Sequence, residues 1–162
     1  AVTPYAIETL CTGNAFLAVS AQTNSSNIGY NLITKYPKAD YIVIDEPEAR
    51  LAAANRNEPI EAVMRKLAHG RCEKFVVTHG RNGAYGLDNG NFLHQKSSTD
   101  LVRDTMGAGD AFFAVTAPMA KHGNMQDLLR IGNAAGALKT QIVGHRASVT
   151  KPDLIAYLKE HA

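Results

Sequence analysis

Tryptophan is missing from these 162 residues, and only two cysteines occur, Cys11 and Cys72. Two thiols are too few for a secreted disulfide scaffold and show no metal-site spacing, so a reducing, cytoplasmic setting is expected. The six histidines include no His-x-x-x-His pair, which speaks against a zinc site. Charge of one sign is also lacking: seventeen Lys plus Arg against fifteen Asp plus Glu leave +2. That balance excludes a nucleic-acid surface on charge alone, and the basic residues are scattered rather than gathered into a patch. No apolar run approaches the roughly 20 residues of a membrane span. The N-terminus has no basic segment followed by a long apolar stretch, so neither a membrane partner nor a signal peptide is expected. Internal repeats and low-complexity tracts are absent.

What remains is a globular composition, 45% apolar and 20% charged. A chain this long buries roughly 70% of its unfolded surface and needs no metal or disulfide staple. No composition break divides it, so one domain over residues 1–162 is expected. Because it begins Ala1-Val2-Thr3 and runs straight into structured sequence, it reads as a piece of a longer polypeptide.

The periodicity predicts a helix over 4–11, a buried strand over 16–20 and a polar loop containing Gln22, Asn24 and Asn27. A short helix over 30–36 is expected to end at Pro37, before a β-branched strand over 41–44. Asp45-Glu46-Pro47-Glu48 then supplies an acidic start for an alanine-rich helix over 48–54. Residues 58–69 carry a helical apolar stripe with Gly70 as its C-cap. A strand over 75–78 follows, and Asp88-Asn89-Gly90 joins segments 84–87 and 91–94 as a hairpin. Beyond Asp104, an apolar helix is expected to run to about residue 121, with Pro118 kinking or ending it. Asn124 caps another helix, rich in small residues, and Thr150 with Asp153 opens the last. Strands alternating with helices, then helices crowding the end, predict an α/β sandwich with a hairpin on one sheet edge.

The most informative stretch is Asp104-Thr105-Met106-Gly107-Ala108-Gly109-Asp110. Glycines let the backbone approach a ligand closely where a helix begins, and the free N–H groups there suit an anion. A carboxylate in such a place is awkward beside a phosphate unless it takes a proton while the amides hold developing phosphoryl charge. A plain glycine turn, with Asp110 only complementing the helix dipole, accounts for the same residues.

The run from Asp104 to Phe112 resembles the DTxGAGDxF signature of the PfkB/ribokinase family of carbohydrate kinases. Asp45-Glu46-Pro47-Glu48 resembles that family's N-x-x-E motif, with Asp45 in place of the usual Asn. Thr78-His79-Gly80-Arg81-Asn82-Gly83 resembles its T-x-G-x-x-G nucleotide loop. Asn133-Ala134-Ala135-Gly136-Ala137 resembles the small-residue helix beside the adenine, and Ile142-Val143-Gly144 with Ser148 resembles the adenine and cation loop. The likeness runs from about Phe16 to the end. It covers the C-terminal half of such a kinase; the family's first half supplies a lid and a Gly-Gly sugar motif, and no Gly-Gly pair occurs here.

The resemblance implies a ribokinase-like three-layer α/β/α fold and transfer of the γ-phosphoryl of ATP to a sugar hydroxyl, with Mg2+. Asp110 is implied as general base, with the amides of Gly107, Ala108 and Gly109 as anion hole. Glu48 is implied to hold magnesium through water, and Asp45, close to the phosphates, is implied to line the nucleotide site or instead to assist the metal. Thr78, Gly80 and Gly83 are implied to contact phosphates and ribose, and Asn133 the adenine. A monovalent cation such as K+ is implied at Asp104 and Ser148, with backbone carbonyls near Met106, Lys139, Ile142 and Gly144. The partners implied are a nucleotide, a small carbohydrate, the absent half and, through the lid, a second copy. Without that half, this chain is expected to transfer phosphoryl groups poorly. The wording of 22–36 and 143–152 is similar to heptose-phosphate kinases, some fused to a nucleotidyltransferase. Two alternatives stay open: a non-catalytic nucleotide-sensing module, and a vitamin kinase acting on pyridoxal or a pyrimidine alcohol. Outside these motifs, Cys72 reads as a structural thiol and His79 as an exposed loop residue.

Overall fold

The computed structural model describes residues 2–23, 29–97, 105–142 and 147–161. Its centre is a five-stranded sheet in the order β1-β2-β3-β4-β5. Strands β1 (Ala18–Ser20), β2 (Tyr41–Asp45) and β3 (Lys74–Thr78) run parallel, while β4 (Ala84–Asp88) and β5 (Asn91–Gln95) form the edge hairpin. Asn89 and Gly90, both at positive φ, make its two-residue turn.

β2 is apolar on both faces because both are covered, as parallel strands require. Ile42, Ile44, Phe75 and Val77 pack against Ile7 of α1 (Pro4–Thr12), Ala49 and Ala53 of α2 (Glu46–Ala53), and Val63, Met64 and Leu67 of α3 (Ile60–Ala68). The alternate residues Tyr41, Val43 and Val76 meet Phe112 of α4 (Ala108–Thr116) and Met125, Leu128 and Leu129 of α5 (Met125–Thr140). The last helix, α6 (Lys151–Glu160), covers α5 through Tyr157, Ala134 and Ala137. The three-layer sandwich is therefore present. Burial in it holds the Tyr41 hydroxyl well above the usual tyrosine range, although that hydroxyl donates to Thr116 Oγ1 at 2.9 Å.

Several elements are shorter or start elsewhere than the sequence predicts, β1 beginning at Ala18 rather than residue 16 and α3 spanning Ile60–Ala68 rather than 58–69. The segment 30–36 keeps one 3₁₀ turn, Ile33–Lys35. α2 begins two residues early, at Glu46, because Asp45 is its N-cap. α4 ends at Thr116 rather than near residue 121. Pro118 has no N–H for the Ala114 carbonyl, and its ring crowds that carbonyl, so the chain passes into turns closed by bonds such as Gly123 N–H to Met119 O at 2.8 Å. The caps at Asn124 and Thr150 are formed as expected, to the amides of Asp127 and Asp153.

α4 and α5 approach closely because Gly132 has no side chain. A Cβ there would stand 2.4 Å from the Phe112 ring. This approach fixes the start of α4 against the sheet's C-terminal edge, where the predicted site lies.

Candidate active site

Asp45 and Thr78 are register partners at the C-terminal ends of β2 and β3. They stand opposite the N-terminus of α4, and two adjoining cavities share Asp45, Thr78 and Gly109 as walls. Ligands of open α/β sheets bind at this edge.

The larger of the two, ≈ 380 Å³, is lined by Asp45, Thr78, Gly80, Gly83 and Asn133, the five residues assigned to nucleotide, together with Ala108 and Gly109. Gly83 needs its lack of a side chain twice over, with φ at 89° and a would-be Cβ 2.0 Å from Gln95 O. The loop before it is tied by His79 N–H to Gly83 O at 2.8 Å and Asn82 N–H to His79 O at 3.0 Å. Phe112, Gly132, Gly136 and Ala137 give this cavity an apolar end. Asn133 donates its amide hydrogens to Gln95 O at 3.0 Å and Lys96 O at 3.2 Å, so it also binds α5 to the end of β5.

The smaller cavity, ≈ 150 Å³, gathers Asp45, Glu48, Gly107, Gly109 and Asp110. Gly107 precedes α4 at φ 77°, and no side chain caps the helix. Ala108 N–H reaches Thr105 O at 3.3 Å and Ala111 N–H reaches Gly107 O at 2.9 Å. Among the described residues, the N–H groups of Gly107, Gly109 and Asp110 find no protein acceptor. A Cβ added at Gly109 would meet nothing within 4 Å, so its backbone faces open space. The Asp110 carboxylate is exposed and has no hydrogen bond or ion pair among the described residues. A carboxyl locked in an ion pair, beside amides capped by the protein, would exclude a role in catalysis; this arrangement is the opposite.

Glu48 is held from both sides, its Oε1 accepting from Thr23 N–H at 2.6 Å and its Oε2 from Asp45 N–H at 3.1 Å. Asp45 Oδ1 accepts from Glu48 N–H at 2.7 Å, completing a capping box. Burial pushes the Glu48 carboxyl above the usual glutamate range; the two amide bonds oppose this, and the charges of Asp45 and Asp110 add to it. Burial raises Asp45 as well, against its bond from Glu48 N–H and with the Glu46 charge. Carboxyls raised by desolvation in this way gain from a cation. Among the described residues no three His, Cys, Asp or Glu side chains are grouped to hold a metal alone. Hard oxygen donors without a closed cage fit magnesium, which keeps part of its water shell and shares itself with phosphates.

Asp104 and Gly144, assigned to a monovalent cation, lie outside the described residues, as do Asn24 and Asn27 of the polar loop. Ser148 is exposed on the segment leading to α6. Gln22, by contrast, lines the small cavity. His79 is more engaged than an exposed loop residue, with Nε2 2.7 Å from Glu46 Oε2 and Nδ1 3.3 Å from the Tyr85 hydroxyl. The sequence assigned no role to Arg81, Thr105, Phe112 or Thr140, which also line the larger cavity. Arg81 was within reach of sequence reasoning, since it is a cation inside a phosphate-loop motif. A further cavity, ≈ 440 Å³, lies elsewhere, at the opposite end of the strands by Phe16, Asp40 and Cys72. Burial pushes the Cys72 thiol up to about 12, which fits an inert structural thiol.

The sequence pattern of the pfkB family carbohydrate kinase matches residues 19–152. The chain belongs to that family. A similar relative is the ATP-dependent ribose-1-phosphate kinase of Halopiger xanaduensis, 37% identical over 87 residues, which cover 52% of this chain and 29% of that protein. Among solved structures, phosphofructokinase-2 from Escherichia coli in complex with potassium superposes with a TM-score of 0.80 at 17% identity, over 97% of this chain and 51% of that one. Arabidopsis thaliana ribokinase complexed with ribose and ATP gives 0.78 at 19% identity, over 96% and 51%. At these identities the two structures establish the ribokinase-like fold. The chain spans about half the length of each. No helix among the described residues is long and apolar enough to cross a membrane.

Proposed function

We propose that this PfkB-family chain is the nucleotide-binding and catalytic part of an ATP-dependent kinase that phosphorylates a carbohydrate hydroxyl. One observation carries the reading. The uncapped start of α4 and the Asp110 carboxylate, unpaired among the described residues, share a small cavity, and that cavity adjoins the cleft lined by the nucleotide loop. Phosphoryl transfer asks a protein mainly for positioning and charge stabilisation. The larger cavity takes ATP, its apolar end holding the base and Thr78, Gly80 and Gly83 lying along the ribose and phosphates. The γ-phosphoryl reaches the smaller cavity, where the open amides of Gly107, Gly109 and Asp110 stabilise the charge that develops on its oxygens, the Ala108 N–H of the expected anion hole being turned to Thr105 O instead.

The acceptor hydroxyl stands beside Asp110, which takes its proton as the new oxygen–phosphorus bond forms and ADP leaves with the bridging oxygen. Glu48 and Asp45 would hold magnesium, which when bound would supply neutralisation of the phosphate charge. The burial that raises both carboxyls supports this. That the Escherichia coli phosphofructokinase-2 structure is in complex with potassium supports a monovalent cation as a ligand of this chain. The similarity of 22–36 to heptose-phosphate kinases keeps a phosphorylated heptose among the first acceptors to test.

The decisive experiment uses the full-length protein and measures ADP release with a panel of sugars and sugar phosphates. Sugar-dependent turnover, abolished in Asp110→Asn while ATP binding persists, is the expected result. ATP binding with no turnover on any acceptor would instead favour a nucleotide-sensing module.

A further inference from the structure

Among the described residues that line the two cavities, three carboxylates, Asp45, Glu48 and Asp110, are joined by one basic residue, Arg81, with Lys139 behind Gly107. A polyphosphate entering beside three negative groups meets repulsion that one open helix start offsets only in part. We propose that Arg81 is a binding residue for the polyphosphate chain of the nucleotide, its guanidinium engaging phosphate oxygens at the mouth of the larger cavity. This rests on the kinase reading above and adds a contact which that reading does not contain.

Three observations carry it. First, Arg81 has no ion pair or hydrogen bond among the described residues. Other arginines are committed within the fold: Arg50 to Glu46 at 2.8 Å, Arg65 to Glu61 at 2.7 Å, and Arg71 to Tyr36 O at 3.0 Å. Second, Arg81 sits on a loop held from outside the cleft. His79 reaches Glu46 at 2.7 Å on α2, and His94 Nε2 lies 2.8 Å from Asn82 O. A cation carried on a braced loop loses less freedom on binding than one on a loose segment. Third, the backbone around it is built for close approach, with Gly80 at φ 50° and Gly83 at φ 89° on either side. A planar guanidinium matches phosphate geometry with paired donors, which a lysine ammonium does not reproduce.

The test measures dissociation constants of ATP, ADP, AMP and adenosine, each with magnesium, for the full-length protein and for Arg81→Ala, Arg81→Gln and Arg81→Lys. Melting curves serve as the folding control, and the conservative Gln and Lys variants provide the readout if Ala is poorly folded. ATP binding is expected to weaken about 10- to 100-fold in the Ala and Gln variants, the range for loss of a charge-assisted hydrogen bond. Adenosine affinity is expected to stay within about twofold, Lys to recover part of the loss, and the salt dependence of ATP binding to become shallower. Unchanged ATP affinity, or equal weakening of all four ligands, would overturn the proposal and leave the kinase reading standing. Failure of the wild-type protein to bind any nucleotide would remove both.

Discussion

Two helix starts border the same small cavity, and they are built in opposite ways. α2 closes its own end: Asp45 takes the Glu48 amide, Glu48 takes the Asp45 amide, and Thr23 N–H adds a second bond to the Glu48 carboxylate. α4 leaves its end open, with a glycine where a capping side chain would stand and three amides without protein partners among the described residues. A start furnished with its own carboxylates presents negative charge and attracts cations. An uncapped start presents N–H groups and attracts anions. Placed face to face, the two give one cavity a cation-seeking wall and an anion-seeking wall, which is what a magnesium-bound phosphate requires.

The contrast can be broken most severely at Asp110. Asp110→Asn keeps the shape of the open helix start but removes the proposed proton acceptor, and transfer is expected to fall about 10²- to 10⁴-fold. ATP affinity, measured by calorimetry on the same protein, is expected to change little; a variant that still turns over at the wild-type rate would end the general-base role. Next comes Gly107→Ala. An L-residue in the left-handed region costs roughly 1–2 kcal/mol. The new Cβ would also stand 3.2 Å from Lys139 Cε, in a position where φ is 77°. A lower melting temperature and weaker ATP binding together are expected, and an unchanged melting curve would show that the turn relaxes freely.

The closed helix start is sharpened by Asp45→Ala, which deletes the cap and is expected to cost about 1 kcal/mol in chemical denaturation. Asp45→Asn keeps an N-cap acceptor and should recover most of that stability. If Asn were as damaging as Ala, the charge rather than the cap would be the stabilising feature.

The smallest effect concerns pH. Burial raises Asp45 above 3.8 and Glu48 above 4.5, so the folded protein retains protons that the unfolded chain has released. Their contribution to stability is present below those unfolded values and is lost as pH rises through the raised folded values. Melting temperature against pH in the ligand-free protein should therefore carry a falling component above pH 4.5 that flattens in Glu48→Gln. An unaltered slope in that variant would place the effect elsewhere.

Much of this was legible in the sequence because the elements announce themselves locally. The β-branched run ending at Asp45, the Asn89-Gly90 turn, and the Asn124 and Thr150 caps each depend on a few adjacent residues. The glycine and acidic motifs were legible too, since backbone approach and helix-end charge leave a composition signature. Other features were not. That Asp45 and Glu48 bond to each other depends on where α2 begins, and the Thr23 amide reaches Glu48 from a different loop. The ties of Asn133 to Gln95 and Lys96, and of His79 to Glu46, join segments far apart in the chain or across elements.

The sequence by itself determined the alternation of strands and helices, the glycine turn before α4 and the kinase family, because propensity, capping and motif spacing are properties of neighbouring residues. Only the tertiary structure decided which groups meet. Register pairs Asp45 with Thr78, and the bare Gly132 lets Phe112 settle against α5, so the open start of α4 comes to face the closed start of α2. Contacts between distant segments arise from packing, and no run of adjacent residues encodes them.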